Sequence, residues 1–180
     1  MDCSNIIFVG GIHGVGKSTI CRRICAELNI EYLSASKLIK WSELNEDTNN
    51  KKVEDLSLTQ DRLIVGLRNV VQENKTYVLD GHFCLLNKEN EVIKIPFETF
   101  EKIKPIAFII ILAEIEKVKN RLEIRDNKLY DFDLLQELQD KEIAYVEYLA
   151  DNLNVPLYIY SNTEYFSLIK QVETILKIGK

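Results

Sequence analysis

The nine residues Gly11-Ile12-His13-Gly14-Val15-Gly16-Lys17-Ser18-Thr19 fit the pattern G-x-x-x-x-G-K-[ST]. A glycine-rich backbone leading into a helix folds tightly and aims its N–H groups inward, and the helix N-terminus adds the positive end of its dipole. In this pattern Lys17 reaches the β- and γ-phosphates of a nucleoside triphosphate, and the Ser18 hydroxyl ligates Mg²⁺. His13 occupies a variable position, where the backbone does the binding. Gly11, Gly14, Val15, Gly16 and Thr19 complete the expected cofactor-binding loop.

Other residues have types suited to the same chemistry. Asp80 ends the apolar run Thr76-Tyr77-Val78-Leu79. A carboxylate at the end of a neighbouring strand is where such a site places a partner for Mg²⁺, directly or through water. It could also orient or deprotonate an acceptor hydroxyl. His82 follows two residues later and, like His13, could touch phosphate or substrate. Arg121 and Arg125 are four apart, so they share a helical face. Phosphoryl transfer builds negative charge on equatorial oxygens, and arginines carried by a closing segment neutralise it. The competing reading for Arg121 is a solvated ion pair with Glu114 or Glu123. Ser36, Lys40, Arg62 and His82 are the candidates for holding an acceptor, with Lys40 or Arg62 suited to an acceptor anion.

These residues need a scaffold. Asn5 to Val9 reads as a buried strand and Thr19 to Leu28 as a helix, with apolar positions at 20, 21, 24, 25 and 28. Further strands are expected at 30–33, 76–79, 106–112 and 155–160. Helices are expected after Ser34-Ala35-Ser36, from Ser57 through Val71, over 97–103, over 114–126 and over 131–152, with a last one through Phe166 to Leu176. Residues 45–52 are polar and aperiodic, which predicts an exposed loop. Phe83 to Ile95 predicts a small hairpin around Asn87-Lys88-Glu89-Asn90. Five apolar strands alternating with helices imply an α/β fold with a parallel sheet covered on both faces. Ligands in such sheets sit beyond the carboxyl ends of the strands. The 11–19 loop, Asp80 and the turn after Tyr160 would meet there.

With 180 residues the chain is long enough for one domain with a full core. A net charge of -5 argues against a protein that coats nucleic acid. The first apolar run is too short for a signal core or a membrane span, so no membrane association is expected. Cysteines at 3, 21, 25 and 84 lack the second ligand pair of a zinc site and read as reduced thiols of a cytoplasmic protein.

Taken together, these motifs resemble P-loop proteins of the nucleoside-monophosphate-kinase type, and are similar to the small archaeal and nuclear adenylate kinases and related ATP-binding proteins. Gly11–Thr19 resembles the family's phosphate loop. Asp80-Gly81-His82 resembles its element after the third strand, Pro105 with the strand 106–112 its central strand, and Arg121 to Asp126 its lid entry. Ser161-Asn162 lies where that family holds adenine. The resemblance implies a three-layer P-loop NTPase fold with sheet order 2-3-1-4-5. It implies an acceptor region over 34–73, a short lid over about 125–133, and ATP with Mg²⁺ as donor. The activity expected is transfer of the γ-phosphoryl of ATP to a nucleotide or nucleoside. Lys17, Asp80, Arg121 and Arg125 would be catalytic, Ser18 and Asp80 would place the metal, and Asn162 would lie at the base. This chain departs from the family at His82, Lys40 and the insertion 83–95. Those departures keep a second class open, a nucleotide-dependent switch or slow ATPase serving a protein partner. A sugar or polynucleotide-end kinase is a third.

Overall fold

The computed structural model describes residues 5–45 and 56–178, with the side chains of 43–45, 56–58 and 178 outside that description. Strand β1 (Ile6–Gly10) leads through the phosphate-loop motif into α1 (Lys17–Leu28). β2 (Glu31–Ser34) runs directly into α2 (Ala35–Asn45). Then come α3 (Leu56–Val70), β3 (Tyr77–Asp80), β4 (Cys84–Leu86), β5 (Val92–Lys94) and α4 (Phe97–Ile103). β6 (Ala107–Leu112), α5 (Ile115–Asp126), α6 (Phe132–Leu153), β7 (Leu157–Ser161) and α7 (Tyr165–Ile178) complete the order. Apart from Asn45, which closes α2, the expected 45–52 loop with Lys51 and Lys52 lies largely outside the described residues.

Five strands form one parallel sheet in the order β2-β3-β1-β6-β7, and β4 and β5 pair separately as an antiparallel hairpin. With the hairpin set apart, the sheet strands in chain order run 2-3-1-4-5, as the family resemblance implies. Every residue of β1 is buried, which is why Ile6-Ile7-Phe8-Val9 is apolar without alternation. The register sets the chemistry's geometry. Val9 pairs with Asp80 on one side and Ile109 on the other, so Asp80 stands beside the strand end that feeds the loop. Ser34 pairs with Asp80 from the outer side.

Phe8, Phe83, Phe100 and Phe108 form an aromatic cluster beneath that end of the sheet. Its ring centroids lie between 5.1 and 6.2 Å apart, in mostly tilted and edge-on arrangements. Helices stop where asparagine can adopt the left-handed conformation. Asn29, Asn127 and Asn154 close α1, α5 and α6 at φ of 53, 50 and 53°. Asp131 caps α6, its side chain accepting from the Leu134 amide at 2.9 Å. The α5–α6 connection therefore narrows to 127–131, inside the expected lid of 125–133. No described helix is long and apolar enough to cross a membrane.

Candidate functional site

The phosphate loop wraps over the ends of β1 and β3. Gly14 and Gly16 hold φ of 80 and 100°, and Gly16 is the N-cap of α1, so the loop turns where a β-carbon would be strained. Val15 is fully buried and anchors the loop in the core. A cleft of about 390 Å³ opens above it. His13, Gly14, Gly16, Lys17, Ser18 and Thr19 line it from the loop, Ser34 from the end of β2, Ser36 from the first turn of α2, Asp80 from the end of β3 with His82 just beyond it, and Arg121 and Arg125 from α5.

Lys17 is buried, and its Nζ donates to the Gly11 carbonyl at 2.5 Å and the Ile12 carbonyl at 3.3 Å. His82 Nε2 lies 3.2 Å from the same Nζ. Because Lys17 can only donate, that ring nitrogen is an acceptor and the imidazole is neutral. Desolvation lowers the pKa of both His82 and His13, and the Lys17 charge pushes the same way. The two rings face each other at 4.1 Å. Burial also lowers Lys17, opposed by the carboxylates of Glu142 and Asp80.

Ser18 Oγ donates to Asp80 Oδ2 at 2.5 Å, so the two residues chosen for the metal meet. Tyr32 Oη donates to the same oxygen at 2.9 Å, and Asp80 is buried. A hydroxyl and a carboxylate, both hard oxygen donors beside a phosphate loop, fit Mg²⁺, which takes few protein ligands and completes its shell with phosphate and water. The described residues hold no group of three or more His, Cys, Asp or Glu able to bind a metal by themselves. Ser18 and Asp80 would hold Mg²⁺ together with the nucleotide.

Arg121 makes neither of the glutamate pairs of the competing reading. Its Nη1 donates to the Gly14 carbonyl at 3.3 Å and reaches the Val15 carbonyl at 3.5 Å, so it already lies across the loop. Arg125 is drawn to its neighbour: Nε and Nη2 each donate to Asp126 at 2.7 Å, and Tyr130 Oη donates to the same carboxylate. That fork holds the Asp126 carboxyl well below its usual range. Asn162 sends Nδ2 to the Val15 carbonyl at 3.1 Å and its backbone N–H to Leu112 O at 2.8 Å, bracing the loop from the end of β7. Lys40 and Arg62 do not line the cleft. Lys40 is exposed on α2, and Arg62 lies on α3, its carbonyl accepting from Ser42 Oγ at 3.0 Å.

Two contributors were missed in the sequence. Tyr32 carried no signal beyond its place on a short strand. Glu142 did carry one. It lies four residues from both Leu138 and Val146, on the apolar face of α6, where a carboxylate has no reason to be unless something meets it. It is fully buried, and its Oε1 accepts from the Phe83 and Cys84 amides at 2.8 and 3.2 Å.

The fold and this cleft define a P-loop nucleotide-binding protein with the architecture of small kinases. Residues 10–139 match the AAA domain family model, and the chain belongs to that family. Among solved structures it is similar to a gluconokinase from Sinorhizobium meliloti 1021, at 16% identity and a TM-score of 0.51 over 98% of this chain and 93% of that one. It is also similar to a sugar kinase from Janibacter sp. HTCC2649, at 16% identity and a TM-score of 0.55 over 97% and 95% of the two chains. A shikimate kinase from Bacteroides thetaiotaomicron has 16% identity and a TM-score of 0.52 over 96% and 98%. At such identities the likeness is one of fold. No curated protein sequence matches significantly.

Proposed function

We propose that the chain transfers the γ-phosphoryl of ATP to a small acceptor hydroxyl with Mg²⁺ bound. The observation that carries this reading is the convergence of Lys17, the Ser18–Asp80 pair and Arg121 on one cleft. Lys17 leaves the Gly11 and Ile12 carbonyls for the β- and γ-phosphates. Mg²⁺, when bound, neutralises phosphate charge as the transition state forms. Arg121 crosses the loop to reach the equatorial oxygens. Arg125 joins it if the Asp126 fork opens. Asp80 orients the acceptor hydroxyl and takes its proton. Catalysis rests on positioning and electrostatics rather than a covalent intermediate.

The acceptor side favours an uncharged, hydroxyl-bearing molecule. Ser34 and Ser36, with their Oγ atoms 3.1 Å apart, and His82 line it, whereas among the described residues the cations lining the cleft sit on the loop and α5. A nucleoside fits that wall, and so does a sugar. The sugar kinase likeness raises the sugar to equal standing. A nucleoside monophosphate would need an anion clamp that Lys40 and Arg62, away from the cleft, do not supply. In this reading the chain is one kinase domain, with 34–73 as acceptor region, 127–131 as a minimal lid and the Asn162 turn near the base. Its setting is the reducing cytoplasm, where the buried Cys21, Cys25 and Cys84 stay thiols. A panel of nucleosides, nucleotides and sugars with ATP and Mg²⁺ tests it. If none raises ADP formation above the water background, the kinase reading is wrong.

A second reading, a slow ATPase or switch for a protein partner, draws on two apolar side chains by the lid. Ile124 and Leu129 are 85% and 90% exposed. It predicts ADP formation that no acceptor stimulates, and acceptor-dependent turnover removes it.

A further inference from the structure

Glu142 is a carboxylate on the buried, apolar face of α6. None of its surface is exposed, and it sits on α6 between Leu138 and Val146. Such a group is retained only where its charge is met or used. Its Oε1 takes the amides of Phe83 and Cys84, the two residues that follow Asp80-Gly81-His82. Among the described residues its Oε2 makes no hydrogen bond of good geometry, although the Gly11 amide also acts on the carboxylate. The Phe83 ring fills the space beside Gly10 that a β-carbon would occupy, at the root of the phosphate loop. One side chain thus ties α6 to the turn that carries Asp80 and His82, and through Phe83 to the start of the loop. The charges agree with that placement. Lys17 on α1 and the Cys84 thiol on β4 are the titratable groups that face Glu142, and Asp80 and His82 face Lys17 from the other side.

We propose that Glu142 is a positioning residue for phosphoryl transfer: its buried charge fixes the backbone behind Asp80 and His82 and complements Lys17 from beneath the loop. This rests on the kinase reading for its rate, but not for its structural part. Glu142 never touches the nucleotide. It acts chiefly through the 80–84 turn, so losing its charge slows turnover more than it weakens ATP binding. The same logic gives a pH signature. Amides of Phe83, Cys84 and Gly11 and the Lys17 ammonium favour the anion, while burial raises its pKa to about 7. Protonation therefore removes the working form on the acid side of neutrality.

The experiment compares the full chain with Glu142→Gln and Glu142→Ala, using Mg·ATP as probe. Glutamine keeps an oxygen for the Phe83 and Cys84 amides, so it retains the fold if the alanine variant does not. We expect Glu142→Gln to bind Mg·ATP within about threefold of wild type and to turn it over at least about tenfold more slowly above about pH 8. Wild type loses activity as pH falls through about 7, and the two proteins converge below it. A Glu142→Gln protein with wild-type rate and profile overturns the proposal. So does a rate lost only in step with ATP binding. Amide exchange at Phe83 and Cys84 in the Mg·ATP-bound protein separates the two readings. Should wild type prove inactive with every acceptor, the kinase reading falls, yet exchange at these amides still speeds up by about tenfold in Glu142→Gln, whose neutral oxygen holds them less tightly, if the Glu142 charge pins the turn. Unchanged exchange refutes that role.

Discussion

Replacing Glu142 by glutamine gives the sharpest stability prediction, because one neutral side chain of nearly equal volume substitutes for a buried ionisable one. Burial is the chief cause that lifts the Glu142 carboxyl from the ordinary 4.5 to about 7. A folded-state pKa above the unfolded one means that the folded protein binds the proton more tightly. The stabilisation is complete below 4.5 and is lost as pH rises through about 7. At about 1.4 kcal/mol per pH unit, the gap between the two values corresponds to roughly 3 kcal/mol by about pH 8. For a chain of this length each kcal/mol moves Tm by roughly 2–4 °C. The difference between wild-type and Glu142→Gln Tm should therefore fall by roughly 6–12 °C from about pH 4.5 to pH 8. Most other titrating groups cancel in that difference, which calorimetric melts of both proteins across this range would give. A difference that stays level, or rises with pH, would refute the claim that burial outweighs the Lys17 charge and the backbone amides at Glu142.

Three further outcomes follow from named contacts. Gly10→Ala puts a methyl 2.1 Å from the Phe83 ring, which is wedged among Phe8, Phe100 and Phe108. Such overpacking costs about 1–3 kcal/mol, read as a lower urea midpoint; an unchanged midpoint would show that the ring can move aside. Tyr32→Phe removes a donor to Asp80 Oδ2 and should weaken the Mg²⁺ dependence of ATP binding by about tenfold, with superimposable Mg²⁺ titrations as the contrary result. Arg121→Ala should lower kcat by about a hundredfold while ATP affinity changes far less, since the groups that cradle the ground-state phosphates are the loop amides and Lys17. Equal loss of affinity and rate would make Arg121 a ground-state contact.

The donor half of the cleft could be read from the chain because its parts are local. Strand, loop and helix lie within one run of sequence, and Asp80 is announced by the apolar strand that ends in it. The hairpin, α4 and the long α6 were legible for the same reason, through turn residues and helical spacing. What was hidden depends on register and depth. The pairing of Ser34 with Asp80, which brings Ser36 to the cleft wall and leaves Lys40 farther along α2, is a property of the assembled sheet. Arg125 looked like a free partner to Arg121, but the adjacent Asp126 competes for it at 2.7 Å. Glu142 was legible only as an interruption of an apolar stripe, and its meaning came from the two amides that the far end of β3 delivers to it. Asn162 lies beside the loop, but its side chain holds the Val15 carbonyl rather than an open pocket.

The sheet order has a consequence for how this protein comes into being. β1 is made first and ends in the middle of the sheet, with Ile6 paired to Tyr77 and Ile7 to Ala107. During synthesis its apolar backbone has no strand partner until β3 leaves the ribosome, and its second edge stays open until β6 follows. Loop closures of that span are slow, and unpaired apolar strands invite association with other chains. The phosphate loop is thus written near the start of the chain but acquires Asp80, Arg121 and Glu142 only in that order, as each emerges. A nascent chain halted before α6 would carry a recognisable nucleotide motif on an unfinished sheet, so the last helices govern when the first motif becomes a site.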